Sequence, residues 1–233
     1  MNILSENDDL MWLRLMQLAD SAVPIGAAAH SFGLETLVED GIVTVPALKA
    51  FLSDYLQETG MLEVSYCLQA HSCASDKDGF VSDWLALNQR LDALKTARES
   101  RAASISLGRR FIQLAADLED NSQLREAIQV AKSDGAGIHH CAAFGFVGGV
   151  LGVEARRTGL AYLNQSITGL VSACQRLMPL GQTAASQLLW ALKPIIIEVI
   201  DQYREGVHPV AFTPMVDVAS LRHPALNTRL FIS

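Results

Sequence analysis

At 233 residues the chain is long enough to bury a substantial core. With 50% apolar and only 18% charged residues and a mean hydropathy of +0.22, it is greasier than a free-standing soluble monomer needs, which points to surface covered by partners. Its net charge of −7 presents no basic face to nucleic acid.

The opening MNILSENDDL is acidic and has no basic region ahead of an apolar core, so it does not read as a secretory signal. Apolar residues then recur at helical spacing almost throughout, and no run alternates as a strand would. The pattern predicts helices over roughly 9–19, 30–40, 46–58, 61–74, 81–94, 97–118, 122–132, 138–151, 157–178 and 181–205. Pro46 suits a first helical turn with Thr44 as its cap. Asp76-Lys77-Asp78-Gly79 and Asp134-Gly135-Ala136-Gly137 read as turns. The 157–178 stripe is the clearest, with Leu160, Leu163, Ile167, Leu170, Val171, Cys174 and Met178 on one side. At Pro179-Leu180-Gly181 two long helices meet, and Gln182 and Thr183 open the second, a polar pair expected to be buried and bonded there. Pro194 should kink that helix. Its most apolar part, 188–200, holds Lys193, Pro194 and Glu198 and falls short of the roughly 20 residues that span a membrane.

The expected architecture is all-α: one single-domain multi-helix bundle of about ten helices over 1–206, then an irregular C-terminal tail over 207–233. Pro209, Pro214 and Pro224 exclude a long helix in the tail. The tail is nonetheless apolar, through Val210, Phe212, Met215, Val218, Leu221, Leu230, Phe231 and Ile232. Its formal charge is +1 against −7 for the whole. Such a segment docks either on its own bundle or on another protein.

Candidate chemistry is sparse. Cys67, Cys73, Cys141 and Cys174 make no CxxC pair and read as reduced thiols of a cytoplasmic protein. Cys67 and His71 share a helix face and suit a soft metal, but no closing ligand pair is visible, so a buried thiol beside a capping histidine is preferred. His139 and His140 diverge on a helix and read as surface histidines. His208 and His223 could hold nickel only transiently. In VPIGAAAHSFGLE, Ser31 reads as a helix cap and Glu35 as a first-turn acid, or His30 and Glu35 face a partner. Arg98, Glu99 and Arg101, and likewise Arg109 and Arg110, read as solvated helix faces. Arg98 or Arg176 could serve as an arginine finger toward a partner's GTP, although no phosphate-binding loop is present. No catalytic Ser/His/Asp or Cys/His set can be assigned.

Three blocks, LMQLADSAVPIGAAAHSFGLE (15–35), RLMPLGQTAASQLL (176–189) and SLRHPALNTRLF (220–231), resemble in order and spacing those of the UreF family of urease accessory proteins. ARESRAAS (97–104) and HHCAAFGFVGGVLGV (139–153) fit as well, so the likeness covers nearly the whole chain. It implies a non-catalytic homodimer that binds the accessory protein UreD (also UreH), recruits and regulates the GTPase UreG, and serves nickel insertion into apo-urease. Nickel is then handled by the complex, with no stably bound cofactor and no metal ligand assignable in this chain. The resemblance carries partner contacts onto His30, Ser31 and Glu35, onto Arg176, Gln182 and Thr183, and onto Arg222, His223, Arg229, Leu230 and Phe231. It also implies a tail that orders on UreD. The chain departs from the family where His30 replaces a usual tyrosine, where Ala28 lies among usually larger residues, and where Pro224 replaces a usual glutamate. The competing expectation is a helical small-molecule-binding protein or enzyme with a core pocket, marked by a closed polar cavity and perturbed side chains.

Overall fold

A computed structural model describes residues 3–76, 79–205 and 213–233, and for residues 3–7 the backbone alone. Eleven α-helices and no strand occur among the described residues. They are α1 (Ile3–Leu18), α2 (Leu34–Glu39), α3 (Leu48–Tyr55), α4 (Met61–Cys73), α5 (Phe80–Leu94), α6 (Arg98–Leu118), α7 (Ser122–Asp134), α8 (His140–Val150), α9 (Ala155–Leu177), α10 (Gln182–Gln202) and α11 (Pro214–Arg222). The all-α architecture expected from periodicity is the one observed.

Boundaries follow local chemistry. Asn121 caps α7 by accepting from the Gln123 and Leu124 N–H groups at 2.9 and 3.3 Å. Gly135 ends it at φ 74°. The helix expected over 30–40 begins only at Leu34, because Phe32 and Gly33 lie at φ 52° and 86°, outside any right-handed helix. Pro46 sits in the turn ahead of α3, and a π-turn at Leu56–Gly60 carries α3 into α4.

Helix α8 lies at the centre. Cys141 to Gly148 is buried without a break, and a helix that is apolar all round must be enclosed. α4, α6 and α9 enclose it. The approach of α4 requires Gly145, where a Cβ would stand 1.8 Å from the Cys67 carbonyl oxygen. Around this centre Phe146 packs on Phe80 and Trp84, with ring centroids 5.2 and 4.8 Å apart. The Trp84 indole N–H is satisfied by the Ala127 carbonyl at 3.1 Å. Each fully buried large side chain stabilises by roughly 1.5–3 kcal/mol.

The structure refines two expectations at the edges. α10 continues through Pro194, and an 18-residue window within its 21 residues has a mean hydropathy of 1.3, so the helix as a whole would suffice by length and composition to cross a bilayer, where the 188–200 stretch alone is too short. It packs along α9 and buries Leu192 and Val199, while Trp190 and Ile197 are exposed. The tail is not irregular throughout. Pro214, at the start of α11, lacks an N–H that the first helical turn leaves unpaired in any case. Helix α11 rests on α2 and α6.

Candidate functional site

The last residues of the chain return to the turn before α2. Phe32 and Gly33 both lie at positive φ in this turn. The Ser233 carbonyl accepts from the N–H groups of Ser31 and Phe32 at 2.5 and 3.2 Å, and from the Ser31 hydroxyl at 3.0 Å. His30 Nδ1 meets the Ser233 hydroxyl at 2.8 Å, and the Ile232 N–H donates to the Ala29 carbonyl at 2.8 Å. Gly33 is needed a second time here, since a Cβ would lie 2.7 Å from the Ser220 hydroxyl of α11.

Glu35 is the hub of this clasp. It is 5% exposed, and its carboxylate accepts from the Leu230 N–H at 2.6 Å and the Phe231 N–H at 3.2 Å. His223, fully buried, sets Nε2 2.9 Å from Glu35 and Nδ1 2.7 Å from Glu99. Both ring nitrogens are thus within hydrogen-bond reach of a carboxylate oxygen. Arg229 donates to the other Glu99 oxygen at 3.2 Å. Phe231 is buried beneath the Arg176 guanidinium, 4.0 Å from its ring centroid, and Arg176 also donates to the Ala28 carbonyl. Arg222 forks onto Asp40 at 2.6 and 3.1 Å.

The structure therefore brings His30, Ser31, Glu35, Arg176, His223, Arg229 and Phe231 together, and places Arg222 beside them. Leu230 joins through its backbone, while its side chain is 64% exposed. Gln182 and Thr183 do not join. They stand exposed at the start of α10, so the polar pair expected to be buried is in water, and burial at that junction falls to Leu180. Glu99 was missed: read as part of a solvated face, it holds two tail residues. Its place in ARESRAAS was the only signal. Beyond the clasp, Met215, Val218, Leu221, Leu230 and Ile232 remain exposed.

The other candidates resolve differently. His71 gives Nε2 to the Val153 carbonyl at 2.7 Å, and burial pushes the Cys67 thiol well above the usual range. No group of three or more His, Cys, Asp or Glu side chains is placed to hold a metal among the described residues. His208 lies outside the described residues. His139 is interior and His140 half-buried, contrary to the surface reading, because the neighbouring helices close over the start of α8. Burial drives them down to about 3 and about 4, so both are neutral. Arg110 donates to the Ile25 carbonyl at 3.2 Å and is not merely a solvated charge.

A second polar cluster lies between α4 and α9. Glu63 accepts from Lys95 at 2.6 Å and from the Tyr162 hydroxyl at 2.7 Å. Burial alone would raise its carboxyl, but the Lys95 charge and these two bonds hold it below the usual range. Beside it is a cavity of about 120 Å³.

Comparison with known proteins agrees with the three converging blocks. The UreF family model matches residues 42–193, well over half of the chain. The chain belongs to the UreF family. It is 33% identical over 231 residues to the urease accessory protein UreF of Picosynechococcus, covering 95% of this chain and 99% of that one. It is 31% identical over 237 residues to UreF of Geobacillus kaustophilus, covering 97% and 99%. It is 30% identical over 237 residues to urease accessory protein F of rice (Oryza sativa subsp. indica), covering 99% and 88%. The family match ends at residue 193, whereas these relatives align over nearly the full length, so membership in the UreF family does not rest on the helical core alone.

Proposed function

We propose that this protein is a urease accessory protein: a non-catalytic, cytoplasmic helical scaffold that acts in urease maturation by nickel insertion. In this reading it forms a homodimer, binds a UreD/UreH-like protein, recruits and regulates the GTPase UreG, and presents the assembly to apo-urease. The observation that carries it is the clasp. Family blocks from the start, middle and end of the sequence converge on one surface, and next to it α11 and the tail leave an apolar stripe uncovered. A stripe of Met215, Val218 and Leu221 on one helix side suits a hydrophobic partner face better than water. Gln182 and Thr183, exposed and unburdened by internal packing, suit a second contact. Nickel passes through the assembly as cargo.

Co-purification of the full chain with a UreD-like protein tests the proposal. Leu221→Glu and Leu230→Glu alter exposed side chains and should leave the helical spectrum intact while cutting retention of the partner at least ten-fold. Full retention by both variants overturns the assignment of this surface. The competing reading, a helical small-molecule-binding protein or enzyme with a core pocket, has the cavity beside Glu63 in its favour.

A further inference from the structure

The cavity of about 120 Å³ lies between the 20–32 turn, α6, α8 and α9. It has room for several waters or one small organic molecule. Helix α9, otherwise a core helix, lines it with a stripe of small or polar residues one turn apart: Tyr162, Gln165, Ser166, Gly169 and Ser172. Gly169 stands at the exposed edge of the cavity, where an added Cβ would meet no atom within 4 Å. Ile25, Leu107 and Leu170 supply apolar walls.

Two lining residues carry polar atoms without a partner among the described residues. Gln165 is 9% exposed and its Oε1 has no donor, and His140 Nε2 is buried and equally unmatched. Leaving either so carries the desolvation cost of a buried polar atom. Of the two lining carboxylates, Glu63 is held by Lys95 and Tyr162, and Asp20 stands in water at the exposed rim, where it accepts from the Ala22 N–H. Inside the cavity a charged guest would lose its hydration without meeting an unpaired counter-charge.

We propose that this cavity binds a small uncharged molecule carrying a hydrogen-bond donor and acceptor side by side, of the primary carboxamide class. Its N–H groups would serve Gln165 Oε1. Its two kinds of polar atom would match His140 whichever ring nitrogen bears the proton. Its short alkyl part would lie on Ile25, Leu107 and Leu170. The cavity adjoins the clasp through Ala28, His30 and Phe32, but its test uses this chain alone and does not depend on the partner assignment.

Propionamide is the probe and propionate the charged control, titrated against the full chain with saturation-transfer NMR. Saturable propionamide binding is expected, with propionate at least ten-fold weaker. Gln165→Leu keeps the shape and removes the acceptor, and Gly169→Leu sets a bulky side chain at the open edge. Both should weaken propionamide at least ten-fold while retaining helical content. Gly169→Leu adds a strong helix former where nothing obstructs it, so it decides the matter if Gln165→Leu fails to fold. The proposal is overturned by an absence of saturable binding, which would leave the cavity to water, by equal binding of propionate, or by propionamide binding that Gly169→Leu does not weaken.

Discussion

Replacing Glu35 by alanine tests the clasp at its hub. Three donors lose their acceptor: His223 Nε2 at 2.9 Å and the N–H groups of Leu230 and Phe231 at 2.6 and 3.2 Å. Kept in place, each unpaired buried donor costs about 1–3 kcal/mol, or roughly 3–9 kcal/mol together. The tail has a less costly alternative, which is to release its last residues into water. Release forfeits the burial of Phe231, roughly 1.5–3 kcal/mol, and its contact with Arg176, about 0.5–1 kcal/mol. The smaller cost governs, so the variant should open locally with a penalty of about 3 kcal/mol, near a hundred-fold in the opening equilibrium. Amide hydrogen exchange reads this directly. Exchange at Leu230, Phe231 and Ile232 should accelerate about a hundred-fold, while amides within α8 stay protected. Glu35→Gln, which keeps one carbonyl acceptor, should show a smaller effect. Unchanged exchange at these three residues, or loss of helical signal across the molecule, would refute the reasoning.

At the centre of the bundle, Gly145→Ala should lower the melting temperature by several degrees, since overpacking of this kind costs about 1–3 kcal/mol or more. Gly169→Ala, where a Cβ meets nothing, should raise stability by about 0.5–1 kcal/mol, and calorimetry distinguishes the two. Gln182→Ala should change stability by less than about 0.5 kcal/mol, as for surface substitutions generally, and a large fall in melting temperature would mean the residue is not in water. Burial lowers His139 and His140 from 6.5 to about 3 and about 4, so the unfolded chain binds their protons first. Their contribution is complete above about pH 6.5 and is lost as pH falls toward the folded values, at up to about 1.4 kcal/mol per pH unit for each. His140→Asn should flatten the decline of stability between about pH 6.5 and 4.5, and an unaltered slope in denaturant titrations would count against the assignment.

The helices were legible because their chemistry is local. The expected 81–94 and 97–118 differ by one residue from α5 and α6, since each has an apolar stripe of the right period and a clear stop. The start of α2 was misplaced because SFG looks compatible with a helix until Phe32 adopts a left-handed conformation to meet the tail. The clasp itself was legible only through resemblance. Nothing in the spacing of Glu99 announces a histidine 124 positions away, so periodicity assigned it to solvent. For the same reason His139 and His140 were placed on the surface. The all-apolar run from Cys141 to Gly148 signals an enclosed helix, but the cover over its first residues depends on how α4, α6 and α9 close around α8. Gln182 failed in the opposite direction: a polar pair between two apolar helices need not be buried when the junction turns outward.

The close passage of α4 across α8 also bears on how the chain acquires its structure. Cys67 and Gly145, which touch backbone to backbone, are separated by about a third of the sequence. Closing so long a segment before its contacts are rewarded slows folding relative to bundles of sequential hairpins. During that delay α8 is the most hazardous segment, because it has no polar side to turn toward water. The order of the chain mitigates this. α4 and α6 are synthesised before α8, so two of its three walls exist when it emerges, and only α9 must arrive afterwards.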